Sequence, residues 1–193
     1  MFKSEIRILG FDDGSFDSRK GKVPVIGVIF RGGKWLDGVL RTDVEVDGID
    51  ATEKLVKSIN SSRHKQQLKI IMLDGITMGG FNTIDVNRLN KETGLPVIVI
   101  NRIHPDLKKV KAALRKNFKD WEKRWTMIEN AGEIKKFSLK KGVDIFFQSI
   151  GISDSEAEEV IRLSTTHSQI PEVLRVAHLI GTAVVKGESS GRA

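Results

Sequence analysis

Two aspartates close apolar runs in this chain. "EIRILGFDD" ends on Asp12 and Asp13, and "LKIIMLDG" ends on Asp74 and Gly75. A carboxylate at a strand terminus needs a partner or water. The ordinary partners are the backbone donors of a turn and a metal ion, and each aspartate admits both readings. Two carboxylates brought within a few ångströms repel, and one protonates unless a cation sits between them. Mg²⁺ or Mn²⁺ takes hard oxygen ligands and suits such a pair. A third acid usually completes a site of this kind. "RTDVEVDGID" offers Asp43, Glu45, Asp47 and Asp50. The first three alternate with Val44 and Val46, which places them together on the solvent face of a strand. Asp50 opens a helix, as a plain N-cap or as the third ligand. Asp13 reads as a cap on the loop that follows it.

The elements that must position these residues follow from patterning. After the strand over 5–11 and a polar loop, two β-rich runs are joined by Gly32-Gly33, which predicts a hairpin. Pro24 falls near a strand start, where a missing N–H is tolerated. Asp50 and Glu53 match a capping box ahead of an apolar face of Leu55, Val56 and Ile59. Residues 68–75 form a buried strand. A loop and a helix ending at Gly94 come next, then another buried strand over 95–102. Leu107, Val110, Leu114, Phe118, Trp121, Trp125 and Ile128 step by three or four, predicting one long helix. "EIKKFSLKKGVDIFFQSIG" is strand-like with a break at Gly142. Ser153 and Glu156 form a second capping box, and Pro171 fits the first position of a last helix. That helix has an apolar face of Val173, Ala177, Ile180 and Val184.

This order predicts an α/β fold, a mixed sheet flanked by helices in the ribonuclease H-like arrangement. It places the first strand beside the strand after the first helix, parallel to it. Asp12 and Asp74 then share the edge where open α/β sheets carry their sites. Residues 1–186 read as one domain and 187–193 as a mobile tail.

Composition narrows the classes. The chain has 193 residues, 39% hydrophobic and 30% charged, which reads as soluble and globular. It has no cysteine, so disulfides and zinc–thiolate sites are excluded and a reducing, cytoplasmic setting is expected. The charged start "MFKSEIRILG" does not resemble a signal peptide. A net charge of +7 favours a polyanionic partner. Eight Lys or Arg against four acids between Asp106 and Asn130 concentrate part of it. Lys108, Lys111, Arg115 and Lys119 each follow an apolar-stripe residue. They lie about 100° round the helix from it, on a flank that is either solvated or able to track a phosphate backbone. Arg31 and Lys34, with Trp35, form a smaller basic cluster at the hairpin tip. "GGF" lacks the lysine ending of a P-loop and the spacing of a dinucleotide fingerprint. Arg175, His178 and Glu188 lie in the C-terminal block, where Arg175 either reaches a phosphate or caps a neighbour.

"ILGFDDGSF", "IMLDGITMGGFN", "LPVIVI" and "IPEVLRVAHLIGTAVVKGESSGRA" resemble the archaeal DUF99 (UPF0215) family over nearly the whole chain. That family is distantly similar to endonuclease V, a metal-dependent nuclease with a ribonuclease H-like fold. Its "G-x-D" matches Gly10, Phe11 and Asp12, and its later "DG" matches Asp74 and Gly75. The resemblance implies that Asp12 and Asp74 bind a catalytic Mg²⁺ or Mn²⁺. Endonuclease V takes a third ligand from an "FRE" block, which this chain lacks. By position Asp50 is the substitute, and Asp47 the second choice. The nuclease also reads damaged bases with a Pro-Tyr wedge, and this chain contains no tyrosine. Its "SPGH" before a late helix places His167 of "STTHSQIPE" in the comparable position. The reading is a metal-dependent endonuclease acting on DNA or RNA, with Asp12, Asp74, Asp50 and His167 as site residues. The alternative is a nucleic-acid-binding protein that kept the fold and lost the chemistry.

Overall fold

The structure is a computed structural model that describes residues 2–15, 20–140 and 142–189. Part of the polar loop after Asp13, 16–19, and the end of the tail, 190–193, lie outside the described residues. The chain opens with the meander β1 (Arg7–Asp13), β2 (Lys22–Arg31) and β3 (Trp35–Glu45). Next come α1 (Ala51–Asn60), β4 (Ile70–Asp74), the short pair β5 (Thr77–Met78) and β6 (Asn82–Thr83), and α2 (Val86–Thr93). Then follow β7 (Val97–Asn101), α3 (Leu107–Asn117), α4 (Trp121–Glu129), β8 (Lys135–Lys140) and β9 (Val143–Ile150). Helices α5 (Asp154–Ser164) and α6 (Glu172–Lys186) end it.

Seven strands form one sheet in the order β3-β2-β1-β4-β7-β9-β8. β1 pairs antiparallel with β2 but parallel with β4, and β4 pairs parallel with β7. The chain leaves β1 toward one side of the sheet and β4 toward the other, so the crevice between connections opens at these two strands. Alternation divides the side chains. Leu9, Phe11, Ile71 and Leu73 pack under α1 and α2. Ile8, Ile70 and Met72 pack under α5 and α6 with Val160, Val173 and Ala177. These central strands are buried on both faces, which is why they read as continuous apolar runs.

The expected hairpin, the Gly94 stop and the Ser153–Glu156 capping box are all present; Gly94 takes a left-handed φ of 67°. The long helix is corrected. Phe118 is extended (φ −129°, ψ 130°) and separates α3 from α4. Its ring meets Phe81 edge-on at 5.6 Å, and the Arg124 guanidinium lies 4.3 Å from its centroid. Both helices bury the same side of the pattern, so the spacing runs unbroken through a turn. The Asp50–Glu53 box is also absent. Asp50 stands at the N-cap without a capping bond, because its carboxylate is taken by other donors. Among the described residues no helix is long and apolar enough to cross a membrane.

α6 lies close on β1, and Gly10 permits it. A Cβ there would sit 2.5 Å from Val173 Cγ2 and 2.9 Å from the Val173 carbonyl carbon. Backbone cannot yield as a side-chain tip can, so Gly10→Ala must push the helix outward. We expect a loss of about 1–3 kcal/mol and a melting temperature lower by about 3–10 °C, measured by thermal unfolding. An unchanged melting temperature would show that the helix does not need this approach.

Candidate functional site

The pairing of Phe11 with Leu73 brings Asp12 beside Asp74 one step further along two parallel strands. Their backbones are thus about 4.8 Å apart, with both side chains on the α6 face. Asp12 is only 5% exposed. The close approach at Gly10, and a second at Gly181, lay α6 along the end of β1. His178 Nδ1 then reaches Asp12 Oδ2 at 2.9 Å. From the end of β7, Arg102 donates to Asp74 Oδ2 at 3.1 Å. Asp13 points to the opposite face, where its Oδ2 accepts the Gly79 N–H at 2.6 Å.

The electrostatics are those of crowded acids. Burial, with the charge of Asp12 second, raises the Asp74 carboxyl above its ordinary value, against the pull of Arg102. Burial and then Asp12 push Asp13 up to about 6. The hydrogen bond to Asp12 raises His178, against its partial desolvation. This edge of the sheet therefore holds excess negative charge, which one histidine and one arginine partly offset.

A second set of bonds fixes the loops around it. Asp47, with φ of 55°, donates its N–H to Gly79 O and accepts the Phe81 N–H. Asn82 donates to Glu45 O and Asp50 Oδ1 and accepts the Ala51 N–H. Buried Arg124 donates to Gly48 O at 2.8 Å and Phe81 O at 2.7 Å. The 45–50 and 79–82 segments thus form one latched unit, and Gly79 of that unit holds Asp13.

The expected site residues fall into three groups. Asp12 and Asp74 come together. Asp50 belongs to the latch, one loop removed from the pair, with its carboxylate on Glu45 N and Asn82 Nδ2. His167 lies apart from the pair. Its ring bonds Thr166 Oγ1 and stands 3.6 Å from Glu172, and Thr166 is tied to Gly33 O. Gly33 lies past the Arg31 end of β2, whereas Asp12 pairs with Ile26. The histidine at the acids is His178, which shares the last helix with the apolar face read from spacing.

The expected basic surfaces are also redistributed. Arg31 is bonded to Asp37, which Arg7 holds as well, at the sheet end away from Asp12, and Lys34 shares that turn. Lys111 and Arg115 lie over Trp125 and Trp121, at 4.6 and 5.0 Å from the ring centroids. With Lys119 in the turn after Phe118, the flank running from Lys108 is not continuous.

Among the described residues no group of three or more His, Cys, Asp or Glu side chains forms a ready metal cage. Two adjacent, desolvated carboxylates still fit a hard cation, since Mg²⁺ commonly keeps several waters and binds through one or two carboxylates plus substrate phosphate. Past Gly75, on the sheet face opposite the Asp12 and Asp74 side chains, opens a cleft of about 170 Å³, walled by residues including Ile76, Phe81, Leu107 and Val110, with Asn101 and Gln148 among its polar groups.

The comparisons agree with this geometry. A family model described as Endonuclease dU matches residues 4–185. A UPF0215 protein of Methanothermobacter thermautotrophicus is 52% identical, the match covering 100% of this chain and 94% of that protein. The crystal structure of a protein of unknown function from Archaeoglobus fulgidus superposes with a TM-score of 0.85 at 40% identity, covering 94% of this chain and 99% of that one. Ciona intestinalis Endonuclease V, in complex with a 24mer DNA containing an inosine followed by a ribo-adenosine, gives a TM-score of 0.59 at 12% identity. That match covers 89% of this chain and 82% of that one, and it shows a shared fold.

Asp13 carries a pH-dependent signature of the metal-free protein. Its carboxyl ionises near 3.8 when unfolded and about 6 when folded. The penalty is absent below the first value, grows between them, and is complete above the second. Asn keeps an acceptor for Gly79 and removes the charge. In EDTA at pH 8, Asp13→Asn should gain stability, up to about 3 kcal/mol and several degrees of melting temperature. At pH 4, just above the unfolded value, the gain should shrink to about 0.5 kcal/mol. An equal gain at both pH values would place its origin elsewhere.

Proposed function

The chain belongs to the endonuclease dU family, and we propose that it is a divalent-metal-dependent endonuclease hydrolysing phosphodiester bonds in nucleic acid. The observation that carries this reading is the Asp12–Asp74 pair, held side by side at the sheet edge by parallel pairing and desolvated there. Asp12 and Asp74 would hold Mg²⁺ or Mn²⁺, which supplies Lewis-acid activation of water and neutralises charge at phosphorus. His178 fixes the orientation of Asp12 through its 2.9 Å bond, and that bond raises its pKa and so favours its protonated form. Arg102 lies against Asp74 and presents the guanidinium that suits a phosphate oxygen best. Asp13 adds negative charge from the opposite face and shapes the edge through Gly79. Asp50 acts through the latch, by holding Asn82 and the start of α1.

The family name directs the first substrate tested, DNA carrying deoxyuridine. DNA carrying deoxyinosine and the matching RNA complete the panel. The second reading, a binder without chemistry, draws on the lack of a third carboxylate joined to the pair among the described residues.

Calorimetric titration of Mn²⁺ and cleavage of labelled oligonucleotides separate the two. Asp12→Asn and Asp74→Asn should each weaken Mn²⁺ binding at least about tenfold and lower cleavage by about 10³-fold or more, with folding retained. His178→Ala should retain Mn²⁺ binding and lose a smaller factor, about 10²-fold. Metal-independent oligonucleotide binding without cleavage, unchanged in both Asp variants, would establish the second reading.

A further inference from the structure

We infer that Ile103 packs against a nucleobase unstacked beside the cleaved bond, at the rim of a groove that runs on from the acid pair. The inference rests on the reading of the chain as a nuclease and extends it to how the substrate strand is held.

Ile103 is 80% exposed, the highest value for a large apolar side chain among the described residues. Its backbone is nonetheless held from both sides. β7 ends at Asn101, just ahead of Arg102. Beyond Ile103, the His104 ring meets Phe146 edge-on at 5.3 Å, and Asp106 caps α3 by accepting the Lys109 N–H. Pro105, between them, has its φ fixed by its ring. This short connection presents the isoleucine to solvent. One exposed apolar residue is ordinary on a surface, so its position has to give it a use.

Arg102 donates to Asp74 Oδ2, so its guanidinium lies on the acid-pair face. Ile100 pairs with Asp74, and Ile103 is three residues further, at most about 11 Å along the chain. Arg102 and Ile103 line one groove of about 650 Å³ with Ile145 and Ile170. Those two belong to the core under α5 and α6, on the face that the acid pair occupies. On that face α6 covers β1 and β2, so the open approach to the pair runs from β4 toward β7 and β9. A strand with its scissile phosphate at Asp12 and Asp74 then meets Arg102 with its next phosphate and Ile103 with a base. The carboxylate at this groove, Asp144, is held by Lys136 at 2.7 Å and by Ser138. A guanidinium beside an apolar surface suits a nucleotide, since the first takes the phosphate and the second the face of the base. Isoleucine is among the side chains that insert between base steps and unstack them.

The test is a titration in Ca²⁺ of a duplex with 2-aminopurine, whose emission rises on unstacking, on either side of a deoxyuridine. Wild type should bind with a rise in emission. Ile103→Ala should lose most of that rise and bind about fivefold or more weaker. Its salt slope should stay that of wild type, because no phosphate contact is removed. Ile103→Leu should restore both emission and affinity. The control, Val39→Ala, trims another exposed apolar side chain, on β3, and should keep the full rise. Melting temperature and Mn²⁺ affinity serve as folding checks for all variants. A full emission rise in Ile103→Ala would overturn the inference, as would an equal loss in Val39→Ala. Wild type that binds no duplex, or binds it without the rise, would overturn it too. Binding in Ca²⁺ requires no turnover, so a wild type that binds with the rise but never cleaves defeats the nuclease reading while the base contact is still decided.

Discussion

Parallel pairing of β1 with β4 sets two aspartates side by side, and the resulting repulsion is the constraint around which this edge is built. Side-by-side carboxylates in a desolvated crevice are unfavourable unless positive charge is supplied. The structure supplies it from two directions, His178 on Asp12 and Arg102 on Asp74. Neither cation lies on β1 or β4. Each arrives from an element that ends at this edge, so the fold has to be complete before the pair is offset. The glycines at 10 and 181 belong to the same constraint, because they let α6 approach closely enough for a histidine to reach a strand-end carboxylate.

Behind the pair, polar groups do work that apolar packing cannot. Arg124 is buried, and a buried guanidinium needs partners for its donors. It finds Asp120, Gly48 O and Phe81 O, and its face rests on Phe118. One side chain thereby joins α4 to both loops of the latch. Asp47 takes the left-handed conformation that aspartate tolerates, and its side chain and backbone then satisfy both Phe81 and Gly79. The break at Phe118 is part of this design, since it folds α4 back to where Arg124 reaches the loops.

How much of this could be read from residues alone depended on the range of the interaction. The strand-end acids were legible, because an apolar run that stops at Asp states its own geometry. The capping box at Ser153 and the stop at Gly94 were legible for the same reason, as each satisfies its bonds within a few residues. The box proposed for Asp50 failed because distant donors, Asn82 Nδ2 and Glu45 N, compete for that carboxylate. The helix break escaped detection because periodicity reports which side is buried and cannot report a turn that keeps the same side inward. Asp13 and Asp12 are adjacent in sequence, yet alternation sends them to opposite faces, and only the sheet shows that both are crowded. His178 lies 166 positions from Asp12, so no local pattern announces their contact.

The Arg102–Asp74 pair has a consequence for how such a site handles charge. In the metal-free protein the half-exposed guanidinium supplies positive charge to an acid that burial has destabilised. Asp12 and Asp74 would hold a hard cation, which would supply part of that neutralisation. Arg102, tethered at the end of β7, carries its planar guanidinium at this same edge, and for a polyanion the group it would meet there is a phosphate. A lysine could offset Asp74 equally well, but it would offer a phosphate only a point charge in place of a planar fork. Charge balance at the pair and a fork shaped for phosphate are thus two properties of one side chain.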